Sequence, residues 1–400
     1  MITSVGWAFI SIGLVGLLLV TLGYPMLVRM LAAVHGRSER SGTTSASSMA
    51  APTVTIITAM RNAEALLPAK IESLAELVDP GSGIEVVLSS DGSTDRTVEL
   101  ARAACDSRAN WHVLDEPEHL GKHCALHAAV ARATGQILVF TDVDAVLEPE
   151  AVVHLVGAFS GPEIGGVCGQ RMIGEASAFA SSSQARYVEL DSGLKGLESR
   201  IGSITSNDGK LYAIRADLYE EIPGGVTDDL FASMSVVRQG RRFLFEGRAR
   251  AWIRTPSRSR AHELGRRRRI VCRSFRGMWI QRAVLNPFRT GLYAVGLLIN
   301  KIGRRFLPFF LALVFLGTVL LAWTSKVALA VAVAQTVGLA VAWLGPRFLP
   351  KPESGRSFGL LGKVISLAHY ALVGFAGTFL GVMDFVMARQ VTRWDPIKSD

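Results

Sequence analysis

Uncharged apolar runs at both ends of the chain constrain its fold more than any other feature. Val5–Val28 contains no charged residue, and a helix needs roughly 20 apolar residues to cross a bilayer. Three further apolar runs lie near the C-terminal end, and they are Phe306–Trp323, Val327–Leu344 and Val364–Met383. With 49% hydrophobic and 19% charged residues, the chain is too apolar for a wholly soluble protein and too charged for one entirely within the membrane. The sequence therefore predicts a multi-pass membrane protein with a soluble domain between its spans.

Basic residues set the expected orientation in the membrane. Arg29, Arg37 and Arg40 follow the first apolar run, whereas no Lys or Arg precedes it. Because cytoplasmic loops are enriched in Lys and Arg, we expect the following domain to be cytoplasmic, at the inner or plasma membrane of the cell. A cleaved signal peptide is the alternative, since the small residues at Ala46–Ala51 resemble a cleavage zone, although the basic start of such a peptide is lacking. Four spans would leave the basic C-terminal tail outside, so a re-entrant segment is a second alternative.

Changes in composition divide the chain into six segments. We expect an N-terminal transmembrane helix at 1–31, a linker at 32–52, a cytoplasmic α/β domain at 53–280, an amphipathic interface region at 281–305, about three transmembrane helices at 306–388 and a tail at 389–400. The linker is rich in Ser, Ala and Thr, a composition typical of flexible connections. The interface region mixes apolar residues with Lys301, Arg304 and Arg305, as helices lying in the membrane surface do.

One basic block accounts for the net positive charge. Arg238–Arg276 contains fourteen arginines and two acids, whereas the net charge of the whole chain is +9. Since the charge is local, we expect no nucleic-acid partner for the protein as a whole. The block either binds anionic lipid head groups or neutralises a diphosphate, which the guanidinium fork matches well. The four cysteines lie far apart, a spacing that predicts neither a disulfide framework nor a zinc site.

Strand-like and helix-like segments alternate between the apolar ends. The strand-like runs are Val54–Thr58, Ile84–Ser89, Trp111–Leu114 and Ile137–Thr141. The helix-like stretches between them are Ala63–Leu77, Thr94–Ala104 and Lys122–Ala133. This alternation predicts an α/β fold with a mostly parallel sheet and helices on both of its faces.

Acidic residues follow two of the predicted strands, at the edge where open parallel sheets bind ligands. Asp91 follows the second strand, and Asp142 and Asp144 follow the fourth with one residue between them. Mg²⁺ and Mn²⁺ prefer carboxylate oxygens and commonly bridge to phosphate oxygens of a substrate. We therefore expect Asp142 and Asp144 to hold Mg²⁺ or Mn²⁺. The alternative is that these acids cap the next helix or face solvent.

A second acidic pair, Asp228-Asp229, follows Thr227 and precedes a helical stretch that ends at Gly240. Paired acids suit general-base catalysis, because the charge of one raises the pKa of the other. Helix capping is the alternative, and the spacing alone slightly favours it. Two common nucleotide motifs are missing from the sequence: no GxGxxG follows the first strand, and Gly121-Lys122 is not part of a phosphate-binding P-loop.

In combination, these residues resemble a membrane-bound family 2 glycosyltransferase of the GT-A fold, from about Val54 to Ile280. Four segments similar to family motifs lie in the first half: VTIITAMRNAE at 54–64, SDGSTD at 90–95 (DDGSxD in the family), GKHCALH at 121–127 (GKxxALN) and DVD at 142–144 (DxD). Three more lie in the second half: GKLYAIR at 209–215, TDD at 227–229 (TED) and RRRRI at 266–270 (QxxRW). The joint order of these motifs is specific to the family.

The resemblance implies a role for each matching residue. The nucleotide sugar would be bound by Asn62, Asp91, Lys122, Asp142 and Arg269; the metal by Asp142 and Asp144; and the acceptor would be deprotonated by Asp229, with Asp228 as a second acid. Processive members of the family, such as cellulose, chitin and hyaluronan synthases, carry a Trp at the acceptor end of the site. Ile270 replaces that Trp here. A growing glycan should therefore be held less firmly here.

The sequence thus predicts an inverting glycosyltransferase of polysaccharide or glycolipid synthesis. Its expected partners are a nucleotide diphosphate sugar, UDP-linked, a glycan or lipid-linked acceptor, and the lipid bilayer; the sequence assigns no accessory subunit. One alternative is an enzyme of the same fold that adds a single sugar to a lipid carrier. The other is a non-enzymatic membrane scaffold, which gives no reason for Asp91, Asp142 and Asp229 to coexist.

Overall fold

The computed structural model describes residues 1–35, 51–174, 180–253, 260–348 and 359–389. The chain divides into two compact units, one built around a β-sheet and one built from helices near the two ends of the chain. The helical unit includes the later part of the basic block, up to Phe275, whereas Arg276 belongs to the sheet unit. Most of the expected linker (32–52) and of the expected tail (389–400) lies outside the described residues.

In the described part of the chain, the sheet unit contains eight strands, which are β1 (Val54–Met60), β2 (Ile84–Asp91), β3 (Trp111–Glu116), β4 (Ile137–Phe140), β5 (Ala145–Leu147), β6 (Ile164–Ile173), β7 (Tyr212–Arg215) and β8 (Arg242–Ile253). Their order across the sheet is β3-β2-β1-β4-β7-β6-β8-β5. All seven residues of β1 are buried, as expected for a central strand with helices on both faces.

The α-helices in chain order are α1 (Ile2–Leu18), α2 (Tyr24–His35), α3 (Leu67–Ala75), α4 (Thr97–Asp106), α5 (Lys122–Arg132), α6 (Ala151–Gly157), α7 (Ala180–Ile201), α8 (Asp228–Arg238), α9 (Arg260–Ile280), α10 (Pro287–Thr290), α11 (Leu292–Gly296), α12 (Leu307–Leu321), α13 (Lys326–Leu344) and α14 (Leu360–Val386). The three helices expected between the first four strands correspond to α3, α4 and α5, and each observed helix begins or ends within a few residues of the prediction.

The first half of the sheet is parallel. β1 pairs with β2 and β4 in parallel, and β2 pairs with β3 in the same way. The carboxyl ends of these strands therefore meet at one edge, which carries the residues that follow Met60, Asp91 and Phe140. The predicted α/β fold class is confirmed.

The second half of the sheet is mixed, which the strand-like runs did not reveal. β7 is antiparallel to both β4 and β6, and β5 is antiparallel to β8, whereas β6 and β8 are parallel. The register of β4 and β7 pairs Phe140 with Tyr212. Because the two strands run in opposite directions, the residues that precede β7 lie beside those that follow β4.

Three helical stretches are long and apolar enough to cross a membrane among the residues described, namely Ile2–Val34, Lys326–Arg347 and Leu361–Val386. The first joins α1 and α2 through a π-helical turn at Leu19–Gly23. The apolar run at 306–323 forms α12, which counts as a fourth candidate only together with Leu292–Gly303, from which it is bent by 59°. The expected interface region consists of several short helical pieces, including α10 and α11.

Candidate active site

Hydrogen bonds join the turn after β1 to the turn after β2. Asn62 has a positive φ of 46°, a conformation that Asn tolerates better than most residues. Its side-chain oxygen accepts a hydrogen bond from the Thr94 N–H at 2.8 Å, and its own N–H donates to the Ser93 hydroxyl at 3.2 Å. Asn62, predicted to bind the nucleotide, therefore also shapes the rim of the sheet edge.

Asp91 ends β2 and is buried. One of its oxygens accepts the N–H groups of Leu120 and Gly121 at 2.9 and 2.8 Å. The other lies 2.9 Å from His119 Nδ1. Within the protein, Asp91 thus fixes the loop between β3 and α5, and it places His119, which is 24% exposed, on the accessible side of that loop.

Lys122 opens α5 and bridges two of the predicted site acids. Its Nζ lies 2.8 Å from Asp142 Oδ1 and 2.7 Å from Asp228 Oδ2. The structure therefore brings together three segments that are far apart in the sequence: the start of α5, the loop after β4 and the start of α8. Thr227 makes no side-chain capping bond to α8, and the carboxylate of Asp228 contacts Lys122.

Lys210 holds the other side of the same loop. Its Nζ lies 3.0 Å from Asp142 Oδ2, and 2.6 and 2.7 Å from the two oxygens of Asp144. The carboxylates and ammonium groups thus alternate along a chain of contacts in the order Asp144, Lys210, Asp142, Lys122, Asp228, which we call the charge chain. Its side chains are 20–36% exposed, which leaves them accessible to a ligand yet partly shielded from water.

Opposite charges outweigh desolvation in this cluster. Burial raises the pKa of Asp142, but the stronger opposing effect of Lys122 and Lys210 leaves that pKa well below its ordinary range. Burial likewise lowers the pKa of Lys122 and of Lys210, and the neighbouring carboxylates more than reverse this, so both pKa values lie above the ordinary value for lysine. Lys122, Lys210 and Asp142 are therefore charged at neutral pH.

Asp229, the predicted base, lies beside the charge chain. Its Oδ2 accepts the Gly209 N–H at 3.2 Å, and its Oδ1 accepts the Leu230 N–H at 2.7 Å. The Asn207 side chain donates to the Asp229 carbonyl at 2.9 Å. These bonds orient a half-buried carboxylate next to the segment that contains Lys210.

Arg269 belongs to α9, within the part of the basic block assigned to the helical unit. Its predicted role on the diphosphate stays a prediction. The neighbouring arginines pair inside that unit: Arg266 and Arg267 bind Glu263 at 3.0 and 2.8 Å, and Arg268 makes a two-bond pair with Asp384 of α14. Part of the basic block therefore forms ion pairs within the helical unit, a role that was not among the two expected from the sequence.

The residues at the end of β4 fit a divalent cation. One ammonium nitrogen lies within 3.0 Å of both Asp142 and Asp144, so a cation can contact both carboxylates at once. No group of three or more His, Cys, Asp or Glu side chains within the described ranges is arranged to hold a metal. Two carboxylates supply part of a coordination shell, which Mg²⁺ and Mn²⁺ complete with phosphate oxygens and water.

Three polar residues of this region were not predicted from the sequence. Lys210 stood within a quoted motif, but only the antiparallel register places it beside Asp142. His119 carries no motif, and its position follows from the turn after β3. Lys70 is fully buried in α3 and donates to Thr141 Oγ1 at 2.7 Å and to the Ala145 carbonyl at 2.8 Å. A lysine in the apolar pattern of a helix was the available signal for it.

Comparisons with known proteins point to one family over part of the chain. The family described as Glycosyl transferase family 2 matches residues 55–222. A beta-monoglucosyldiacylglycerol synthase of Nostoc sp. is 26% identical over 186 residues, which are 45% of this chain and 40% of that protein. A poly-beta-1,6-N-acetyl-D-glucosamine synthase of Staphylococcus aureus is 22% identical over 178 residues, 43% of each protein. The chain therefore spans about two fifths of the length of these curated relatives.

The fold has a close counterpart among solved structures. A mannosyltransferase of Pyrobaculum calidifontis, solved with GDP-Man and Mn²⁺, superposes with a TM-score of 0.70 over 97% of this chain and 100% of that one, at 18% identity. This likeness supports the fold, and the family match supports the identity of the domain. Residues 55–222, with their motifs at the strand ends, match the family 2 glycosyltransferase model, and the fold is that of the GT-A transferases.

Proposed function

We propose that the protein transfers a sugar from a nucleotide diphosphate sugar to a glycan or lipid-linked acceptor at a membrane, with inversion at the anomeric carbon. The observation that carries this proposal is the charge chain at the carboxyl edge of the parallel strands, with Asp229 beside it. A transferase needs groups that hold a diphosphate leaving group and, within reach, a group that accepts a proton.

The donor half of the site rests on Asp142, Asp144 and Lys122. The two carboxylates would hold Mg²⁺ or Mn²⁺, which supplies positive charge to a diphosphate as it leaves. Lys122 keeps Asp142 in place and contributes a fixed ammonium at the same edge. We propose a UDP-linked donor, and GDP-linked sugars are the first alternative because the solved mannosyltransferase contains GDP-Man.

The acceptor half rests on Asp229. Its carboxylate takes the proton of an acceptor hydroxyl, the hydroxyl oxygen forms a bond to the anomeric carbon, and the bond from that carbon to the diphosphate breaks. The nucleoside diphosphate leaves with the bonding electrons. The Gly209 and Leu230 N–H groups hold the carboxylate in one orientation, so less ordering is needed when the acceptor arrives.

The membrane segments favour an acceptor that is itself at the membrane. Three helical stretches of the described chain qualify as spans, and the curated relatives include a glycolipid synthase and a polysaccharide synthase. We further propose that the sheet unit faces the cytoplasm, because basic residues follow the first span.

Release of nucleotide from a panel of nucleotide sugars tests the proposal. The full chain, purified in lipid nanodiscs, should release nucleoside diphosphate from one or a few donors in the presence of Mn²⁺ and membrane lipids. Chelation and Asp144→Asn should each remove most of this activity. Full turnover in excess chelator would exclude the metal assignment, and no release or transfer from any UDP- or GDP-linked sugar would exclude the donor class.

A further inference from the structure

A lysine side chain occupies the position where the predicted metal would be held. Lys210 Nζ contacts both oxygens of Asp144 and one oxygen of Asp142, at 2.6 to 3.0 Å. Lys122 also contacts Asp142, but through the other oxygen, and its second partner is Asp228. Of these two lysines, only Lys210 therefore bridges the pair of carboxylates that would bind a cation.

The main chain of Lys210 is fixed, whereas its side chain is long and flexible. The Thr141 hydroxyl donates to the Lys210 carbonyl at 2.8 Å, and the Lys210 N–H donates to Asp208 Oδ1 at 3.3 Å. The neighbouring β7 is paired on both edges. An exchange of partners at this site would thus involve rotation of the Lys210 stem, without displacement of the strand.

Charge makes such an exchange necessary. An ammonium and a divalent cation that share the same carboxylate oxygens would lie within a few ångströms of each other and repel strongly in a partly shielded site. The ammonium must leave Asp144 when a metal binds, and it then needs another anionic partner to avoid an uncompensated charge. A diphosphate at this edge offers that partner.

We propose that Lys210 is an internal counter-ion that competes with the divalent cation for Asp142 and Asp144 and so makes metal binding depend on the donor's diphosphate. This inference rests on the proposed function and adds a coupling between the two ligands. The metal alone binds weakly, and the nucleotide diphosphate and the metal strengthen each other's binding. Such coupling is reciprocal, because it is a difference of binding free energies.

Mn²⁺ binding, followed by the electron paramagnetic resonance signal of free Mn²⁺, measures this competition without any turnover. The probes are Mn²⁺ alone, Mn²⁺ with UDP and Mn²⁺ with GDP, and the protein is the full chain in nanodiscs. Lys210→Met should bind Mn²⁺ alone roughly tenfold more tightly than the wild type, and its further gain from nucleotide should be smaller. Lys210→Gln should shift in the same direction.

Two control variants separate the possible failures. Lys210→Arg keeps the positive charge and should bind Mn²⁺ alone as weakly as the wild type, whereas Asp144→Asn should abolish the tight binding that Lys210→Met creates. Melting temperatures of all variants verify that each is folded. If Lys210→Met and Lys210→Gln bind Mn²⁺ no more tightly than the wild type, while Asp144→Asn weakens wild-type binding, Lys210 is no competitor and the metal site stands. If Asp144→Asn changes nothing in any background, the metal assignment fails together with this inference.

Discussion

At the residue scale, the two acids that open α8 have different partners. Asp228 is paired with Lys122, whereas the oxygens of Asp229 accept backbone N–H groups. The pair therefore divides into one residue that holds a lysine of the donor site and one whose carboxylate is oriented by backbone N–H groups. This division could not be predicted from the Thr-Asp-Asp sequence, whose spacing slightly favoured helix capping over catalysis.

Exchange of each acid for its amide distinguishes the two roles. Asp229→Asn should lower the transfer rate by roughly 10²- to 10⁴-fold, as loss of a general base does, with nucleotide binding retained. Asp228→Asn should mainly raise the KM for the donor, because Lys122 loses one of its two anchors. Donor-dependent kinetics and nucleotide binding measured on both variants decide this. An inactive Asp228→Asn beside a nearly normal Asp229→Asn would reverse the assignment.

The buried Lys70 should make the free energy of unfolding depend on pH. Burial lowers its pKa from 10.5 to about 7, although Asp142 and Asp144 act in the opposite direction. Because the folded pKa lies below the unfolded one, folding releases a proton between pH 7 and 10.5, and stability rises with pH over this range by about 1.4 kcal/mol per pH unit from this group. Below pH 7 the lysine is protonated in both states and its contribution is constant.

The difference between the wild type and Lys70→Met isolates this effect. As the pH rises from 7 to 10, the melting temperature of the wild type should increase relative to that of the variant, measured in chelator to keep the site metal-free. The two curves should run parallel below pH 6. A difference that does not change between pH 7 and 10 would show that Lys70 keeps its ordinary pKa in the folded protein.

At the scale of elements, α1 and α12 pack through glycines. A Cβ on Gly13 would lie 2.6 Å from the Phe310 carbonyl oxygen, and one on Gly317 would lie 2.6 Å from the Gly6 carbonyl oxygen. Small residues that let helix backbones approach closely are a common means of helix association in membranes. The glycines of α1 thus specify its partner helix, although glycine is common in apolar helices and the sequence alone did not indicate this role.

Substitution at this contact should destabilise the helical unit selectively. Gly13→Leu inserts a side chain where the backbones touch and should cost about 1–3 kcal/mol, as overpacking does. Gly338→Leu in α13 is the matched control, because a Cβ there has nothing within 4 Å. Thermal unfolding in nanodiscs compares the two variants. Equal melting temperatures for both would argue that α1 and α12 are not packed through Gly13.

At the scale of the whole molecule, the sheet lies in the sequence between candidate spans. Ile2–Val34 precedes it, and Lys326–Arg347 and Leu361–Val386 follow it. The bend of 59° between Leu292–Gly303 and α12 allows the number of crossings to be three or four. A broken span and a re-entrant segment, the alternative that the basic C-terminal tail suggested, would both contain such a bend.

Reporter fusions test the orientation. A reporter joined after residue 45 should be active in its cytoplasmic form only, since Arg29, Arg37 and Arg40 follow the first span. A fusion at residue 395 then counts the crossings, because four leave the tail outside and three leave it inside. Activity of the first fusion solely on the outer side would contradict the cytoplasmic placement of the sheet unit, where nucleotide sugars are expected to bind.

The sequence by itself determined the parallel half of the sheet and the acids at its edge. Alternating apolar runs and helical stretches predict β1 to β4, and a residue that directly follows a strand lies at its carboxyl end whatever the rest of the chain does. Asp91, Asp142 and Asp144 were therefore found by position alone. Only the tertiary structure decided their partners. Lys210 reaches Asp142 because β7 runs antiparallel to β4, and Lys122 reaches Asp228 because α5 and α8 begin at the same edge. Such contacts depend on strand direction and register, which are set by packing across the whole sheet and leave no local pattern in the sequence.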